Sequence, residues 1–426
     1  MSMNAYNDLK ERGFIYQATD EDTTIQLLEK EKISFYVGFD PTADSLHVGH
    51  LLPIMAMRRL QMCGHTPIVL VGGATALVGD PSGKQEARPI LTKEQVSANA
   101  DALKRQLGKF IAVENAVFVN NADWFKDMLY LDFLRDVGCK FSINKMLAAE
   151  SVKLRLETGL SFLEFNYMLL QAYDFYLLNK EYNCKAQFGG QDQWGNIVAG
   201  VDLVRKMSRQ EVFGATFPLL LNSQGQKFGK TAAGAVWLDP TRTPIFEYYQ
   251  FWRNCDDSDV EKLLCFFTSL PREEIRELGA LQAPAINRAK EILAYEATAL
   301  AHGEKEAENA YLAACGKFGF ADPENEIKTS SKITNIKAGN AVEDLPTYLI
   351  AADNLPQDGI WIVKLFVDSG LCSSSGEARR LIKGGGAYLN EERVSDMNLS
   401  VSASDFKDNA LMLKAGKKKL RRVTLG

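Results

Sequence analysis

The amino-acid sequence predicts an α/β protein with a parallel sheet, followed by an α-helical region and a small C-terminal α+β module. Two observations carry this expectation. Through the first two thirds of the chain, short β-like apolar runs alternate with segments of helical apolar spacing, as in sheets covered by helices on both faces. From about Thr243 the strand-like runs stop and helices follow one another, until a glycine-rich, basic stretch closes the chain.

The elements follow in order. Ser34–Phe39 reads as a first strand, Asp40-Pro41 as a turn, and a helix is expected from near Leu46 to Cys63 through Leu51, Leu52, Met55, Met57 and Leu60. Pro67–Val71 is a buried-type strand running into Gly72-Gly73-Ala74-Thr75, Lys93–Leu107 a polar-faced helix, and Ala116–Asn120 a third strand. Glu164–Asn179 has the composition of a helix, Lys185–Phe188 of a strand and Trp194–Met207 of a helix. Ligands of such sheets sit beyond the carboxyl ends of the strands, which here are marked by Asp40, Gly72 and Gly189. Asp259–Thr268, Arg272–Leu278 and Ala285–Ala301 are helical, with Pro244, Pro271 and Pro284 near their starts or joints. The expected domains are therefore 1–240, 241–320, a loose connection over 321–358, and a last module over 359–426.

Composition narrows the class. Of the 426 residues, 46% are hydrophobic and 24% charged, as in a globular protein. No apolar run approaches the roughly 20 residues of a membrane helix. Met1–Asp8 has neither a basic start nor an apolar core, so no secretory signal is seen. The seven cysteines are scattered and never spaced Cys-x-x-Cys, which fits reduced thiols and a cytoplasmic setting. The net charge of −5 conceals an asymmetry: residues 361–426 hold 12 Lys and Arg against 7 Asp and Glu, leaving 37 against 47 elsewhere. A basic end on an acidic body points to a polyanionic partner, most simply a nucleic acid.

Four segments carry chemistry. The first holds two of the four histidines, His47 and His50, around Gly49 at an expected helix start, where unpaired N–H groups and the helix dipole favour an anion such as phosphate. Two ordinary capping histidines would leave the same trace; a zinc site is the poorer reading, since no third or fourth ligand follows. The second, Gly79-Asp80-Pro81-Ser82, continues to Lys84 and Arg88, two cations able to fold over phosphates or to sit on an ordinary charged loop. The third, Gly189-Gly190-Gln191-Asp192-Gln193-Trp194, combines close backbone approach with a carboxylate for ribose hydroxyls and an amide that donates and accepts. The fourth, Lys227-Phe228-Gly229-Lys230-Thr231, puts two lysines around a glycine. A Walker A loop is absent from the sequence.

In this order the segments resemble the class I aminoacyl-tRNA synthetases, and within them the bacterial or organellar tyrosyl type. The resemblance extends to Tyr36–Ala43, Asn166–Asp174 and the basic module, and so covers essentially the whole chain. It implies a Rossmann-like catalytic domain, a helical anticodon-side domain and a small RNA-binding domain of the kind shared with a ribosomal protein. It also implies the reaction: L-tyrosine and ATP, with Mg²⁺ and no tightly bound cofactor or structural metal, give tyrosyl-adenylate, and the tyrosyl group passes to tRNA(Tyr). His47 and His50 would stabilise the leaving phosphates, with Lys84, Arg88, Lys227, Lys230 and Thr231 closing over them. Tyr36 and Asp174 would bond the substrate phenol. Tyr167, Gln171 and Asp80 would take its ammonium, with Gln187 in the same pocket. Gly38, Asp40, Thr42, Gly49, Gly190, Asp192 and Gln193 would hold ATP and the adenylate. Independently, Tyr167, Gln171 and Asp174 stand at i, i+4 and i+7, one face of a helix.

Arg379, Arg380 and Lys383 fall on one short helix before a glycine stop, with Lys417–Arg422 as a basic tail, and are the expected RNA contacts. The resemblance further implies a homodimer with its interface near Leu131–Glu164 and no membrane association. The sequence departs from the family at Gln191, where serine is commoner. Pro53 stands where threonine or proline occurs. Two rival readings share these features: a tryptophanyl-tRNA synthetase, and an RNA-binding factor descended from a synthetase.

Overall fold

The computed structural model describes residues 5–82, 91–231, 234–336, 347–350, 356, 359–390, 392–406, 410–416 and 419–425. The chain divides into two units, 1–244 with 255–280, and 245–254 with 281–426.

The first unit is built on a six-stranded sheet: β1 (Gln17–Ala18), β2 (Ser34–Phe39), β3 (Thr66–Val71), β4 (Val117–Asn120), β5 (Cys184–Gly190) and β6 (Phe213–Phe217), in the order β1-β6-β5-β2-β3-β4. All neighbours are parallel except β1, which closes the edge antiparallel to β6. Every residue of β3 but the first is buried, as expected of a strand covered on both faces. In β2 the exception is Gly38, exposed inside a central strand. The strand order runs from β2 outward to β4 on one side, then restarts with β5 on the other. Such a switch point opens a crevice at the carboxyl ends, between β2 and β5.

Two helices, Tyr167–Tyr182 and Trp194–Ser208, pack against each other and on β5 and each ends in a left-handed residue, Asn183 and Arg209. The expected helix over 164–179 is broken: Phe162–Phe165 is a separate turn, capped by Ser161 and Glu164 and tied by a buried Arg155–Glu164 ion pair at 2.8 Å. The helix expected from Leu46 starts at Leu51, and the residues before it form a tighter 3₁₀ turn, Val48–His50. A bundle spanning 241–320 was the expectation; instead the helices Val260–Phe267 and Arg272–Gly279 join the first unit. There Phe266 packs edge-on to Phe14 at 5.0 Å, and Arg59 and Arg12 donate to the carbonyls of Thr268 and Leu270. The strongly one-sided apolar face of Val260–Phe267 requires such a partner.

The second unit joins the helices Ile245–Arg253, Ile286–His302 and Glu304–Phe318. The expected connection 321–358 is structured at both ends. Near its start, buried Arg288 bonds Glu291, Tyr311 and Asn325, and Ala321 N donates to Glu291. Near its end, Thr347–Ile350 is a strand, parallel to Lys419–Leu425 in a five-stranded sheet with Ala387–Leu389, Glu392–Arg393 and Ala410–Ala415. The terminal module thus draws on residues before 359. The expected basic tail is partly strand, because pairing with Ala410–Ala415 absorbs the backbone of Lys419–Leu425; Lys417 and Lys418 lie outside the described residues. Among the described residues no helix is long and apolar enough to cross a membrane.

Candidate active site

The carboxyl ends of β2, β3, β4 and β5 deliver their polar residues to one edge of the sheet. Tyr36 of β2 lies in register with Gln187 of β5, and its ring packs against Phe175, next to Asp174 in the helix behind. Asp174 is fully buried and accepts from Asn121 Nδ2 at 3.1 Å and Trp124 Nε1 at 2.9 Å. Burial nevertheless pushes its carboxyl up to about 8, against the pull of those two donors. The Tyr36 phenol is held well above its ordinary value by burial first and by Asp174 second. Three polar atoms here, Tyr36 Oη, Gln171 Oε1 and Gln187 Oε1, are buried with no hydrogen-bond partner among the described residues. Leaving one such atom unpaired costs about 1–3 kcal/mol; Tyr36 and Gln187 are neighbours in register, and Gln171 stands one helical turn before Asp174.

From Asp174 a hydrogen-bonded chain runs along the strand ends. Asn121 Nδ2 also donates to Thr75 Oγ1 at 3.0 Å, Thr75 donates to Asp40 Oδ1 at 2.8 Å, and Tyr167 Oη donates to Asp40 Oδ2 at 2.9 Å. Gly72 is required for this closure, since a Cβ there would lie 2.1 Å from Asp40 Oδ1 and 2.3 Å from Thr75 Oγ1. Asn121, Thr75 and Trp124 escaped the reading of the sequence; the available signal was an Asn-Asn pair at the end of a strand.

The β5 end is a second cluster. Asp80 accepts from Gln193 Nε2 at 2.6 Å and from Ser82 N at 2.9 Å, and Asn196 Nδ2 donates to Gln193 Oε1 at 3.1 Å. Gln193 is therefore spent on Asp80 rather than open on both sides. Asp192 is exposed just beyond Gly190, where a Cβ would meet its carboxylate at 2.6 Å. Thr42 is exposed and donates its N–H to Asp40 O.

The histidine turn is built by its own backbone. His47 Nδ1 accepts from Gly49 N and His50 Nδ1 from His47 N, each at 3.1 Å, and the rings stack with centroids 3.9 Å apart. In the neutral form both protons therefore sit on Nε2, which makes each ring an N–H donor on its far side. The lysine loop is pinned on this turn: Gly229 adopts φ +86° with its Cα face against Val48 and Gly49 N, Val236 N donates to Gly229 O, and Val48 N donates to Val236 O. Lys227 is exposed, and the backbone of Lys230-Thr231 forms a hairpin strand with Gly234-Ala235. Lys84 and Arg88 lie outside the described residues, as do the side chains of Lys230 and Thr231.

In the second unit, the helix Ser375–Lys383 buries Ala378 and Ile382 and exposes Arg379, Arg380 and Lys383. Arg379 lies over the ring of Trp361, 5.2 Å from its centroid.

A parallel sheet with histidine and lysine loops at its carboxyl edge has counterparts among known proteins. Residues 28–318 match the family described as tRNA synthetases class I (W and Y), and residues 337–423 match the tyrosine–tRNA ligase C-terminal domain. The chain belongs to the class I tRNA synthetases of the tryptophan and tyrosine group. Within that group it falls among the tyrosine–tRNA ligases. It is 50% identical to the tyrosine–tRNA ligase of Clostridium botulinum, with 99% of both chains covered, and 47% identical to that of Clostridium tetani over the full length of both. A C-terminally truncated mitochondrial tyrosyl-tRNA synthetase from Aspergillus nidulans superposes with a TM-score of 0.66 at 34% identity, covering 72% of this chain and 92% of that one. The tryptophan reading and the non-catalytic reading both give way to this agreement.

Proposed function

We propose that this chain joins L-tyrosine to tRNA(Tyr) in two steps, with the residues above in the following roles. The tyrosine carboxylate attacks the α-phosphorus of ATP in line, the bond to the bridging oxygen breaks, and pyrophosphate leaves; Mg²⁺ enters with ATP. The terminal ribose hydroxyl of tRNA then attacks the tyrosyl carbonyl, and AMP leaves. Asp174, Tyr36 and Gln187 receive the phenol, and Gln171, Tyr167 and Asp80 the ammonium. Gly38, exposed in mid-strand, gives the ligand a flat floor. Asp40, Thr42, Gly49, Gly190, Asp192 and Gln193 line the nucleotide side. His47 and His50 donate from Nε2 to the phosphates as charge builds there, joined by Lys84, Arg88, Lys227, Lys230 and Thr231.

The observation that carries this reading is the buried Asp174 facing Tyr36, whose hydroxyl, like Oε1 of its register partner Gln187, has no hydrogen-bond partner among the described residues. Arg379, Arg380 and Lys383 anchor the tRNA through its phosphates. A homodimer suits the face over 129–162, where Leu129, Tyr130, Leu131, Ile143 and Phe162 are all more than half exposed. The seven free cysteines fit a cytoplasmic setting. Tyrosine-dependent ATP–pyrophosphate exchange tests the first step and tRNA charging the second. Truncation after Ile336 is expected to leave exchange nearly intact and to lower charging by at least about tenfold, with a shallower salt dependence. Exchange driven by tryptophan instead of tyrosine refutes the pocket assignment; undiminished charging refutes the RNA anchor.

A further inference from the structure

Trp237 follows the lysine-loop hairpin and faces His47 across an antiparallel bridge. The bridge is doubled on each side, by Val48 N donating to Val236 O at 2.9 Å and Leu238 N to Leu46 O at 2.8 Å. The Trp237 ring meets His47 in an edge contact, 5.9 Å between centroids and 65° between planes, and His47 also stacks on His50. Trp237 is itself fixed. Arg242 Cζ lies 3.5 Å from its ring centroid, and Arg242 pairs with Asp44 Oδ1 at 2.6 Å, three residues before His47. Thr243 Oγ1 accepts from Trp237 N at 3.0 Å.

We propose that Trp237, braced by Arg242 and Asp44, is a positioning residue for the known reaction: it clamps the His47 imidazole against His50. The physical case is one of degrees of freedom. Both rings accept a backbone N–H at Nδ1 beside a glycine, and one such bond per ring does not by itself fix the ring plane. The edge contact with Trp237 and the stacked His50 ring together restrict the tilt of the His47 plane, so that Nε2 is aimed before charge develops on the phosphates. The guanidinium covers the half-buried indole from outside; its pair with Asp44 is exposed and contributes little by itself, so the brace lies in the stacking of Arg242 on the ring. This rests on the role assigned to His47.

The test is pyrophosphate-exchange kinetics with equilibrium tyrosine binding on the full chain. Trp237→Ala is expected to lower kcat about tenfold while tyrosine affinity stays within about twofold, and Trp237→Phe to restore most of the loss. Arg242→Ala should give a smaller fall of about threefold, with Asp44→Ala smaller still and nothing compounded in the double variant. In a His47→Ala background, Trp237→Ala should lower kcat no further. An additive loss in that background overturns the proposal alone. So does retained kcat in Trp237→Ala, or an equal loss of tyrosine binding, which would make Trp237 a support of the fold. Unchanged kcat in His47→Ala itself overturns both this proposal and the role of His47.

Discussion

The two ends of the proposed active site are built by different means. At the phenol end, Tyr36, Gln187 and Asp174 sit on regular strands and a long helix and are buried; the polar atoms of Tyr36 and Gln187 left without partners among the described residues are held by packing. At the phosphate end, His47, His50 and Gly229 sit in turns and are held by backbone hydrogen bonds and ring contacts. The first arrangement suits recognition of a ground state, since a rigid buried site penalises any ligand that leaves its atoms unpaired. The second suits a transition state, since donors poised in loops can meet charge that appears only during the reaction. The two ends should therefore fail differently when damaged.

The largest expected separation comes from His50→Ala. In the proposed role His50 is one donor to the phosphates, and losing such a donor typically costs about 10²–10³ in rate; the variant should leave tyrosine binding within about twofold. Stopped-flow adenylate formation with equilibrium tyrosine titration reads both. A matched loss of affinity would erase the contrast between the ends.

The next concerns pH and the phenol end alone. With the Asp174 carboxyl at about 8 in the folded chain and an ordinary value of 3.8, the folded chain holds a proton that the unfolded chain has released across that interval. The stabilisation is fully present below about 3.8 and is lost as pH rises through about 8. The ligand-free protein should lose on the order of 2 kcal/mol between pH 6 and 8, and Asp174→Asn should flatten that slope. Denaturant unfolding at several pH values decides it; an unchanged slope in Asp174→Asn would assign the proton elsewhere. A smaller effect follows for Tyr36→Phe: one lost hydrogen bond of about 1 kcal/mol should reduce the preference for tyrosine over phenylalanine several-fold, with the KM for ATP unmoved.

The helix behind the phenol end was the more legible element of the two ends. Tyr167, Gln171 and Asp174 could be placed together because helical spacing alone puts i, i+4 and i+7 on one face, and the helix Tyr167–Tyr182 runs through all three. Its supports were not legible. Asn121 and Thr75 reach Asp174 and Asp40 only because separate strands end at the same edge of the sheet, a meeting that no local pattern encodes. At the phosphate end, a helix start was expected at the histidine pair. The observed 3₁₀ turn arises because each imidazole accepts a backbone N–H and competes with helix formation, as polar side chains near helix starts do. The helical region misled for a related reason: amphipathic periodicity shows that Val260–Phe267 has an apolar face, and not which surface covers it.

The most delicate probe of the contrast is Gly229→Ala. At φ +86° an alanine is strained, and its Cβ would stand 3.3 Å from both Gly49 N and Val48 Cβ, tighter than ordinary contact. The strain costs about 1 kcal/mol, and it can be relieved only by the lysine loop lifting off the histidine turn. Nothing at the phenol end touches this contact. The variant should therefore lower kcat for exchange a few-fold while its tyrosine affinity and its preference over phenylalanine stay those of the parent. If discrimination falls together with rate, the turn and the pocket are mechanically one body, and the division between a rigid recognition end and a loop-built catalytic end is wrong. If the rate is untouched, the loop does not work from the position in which Gly229 packs on the turn, and the lysines act from another arrangement.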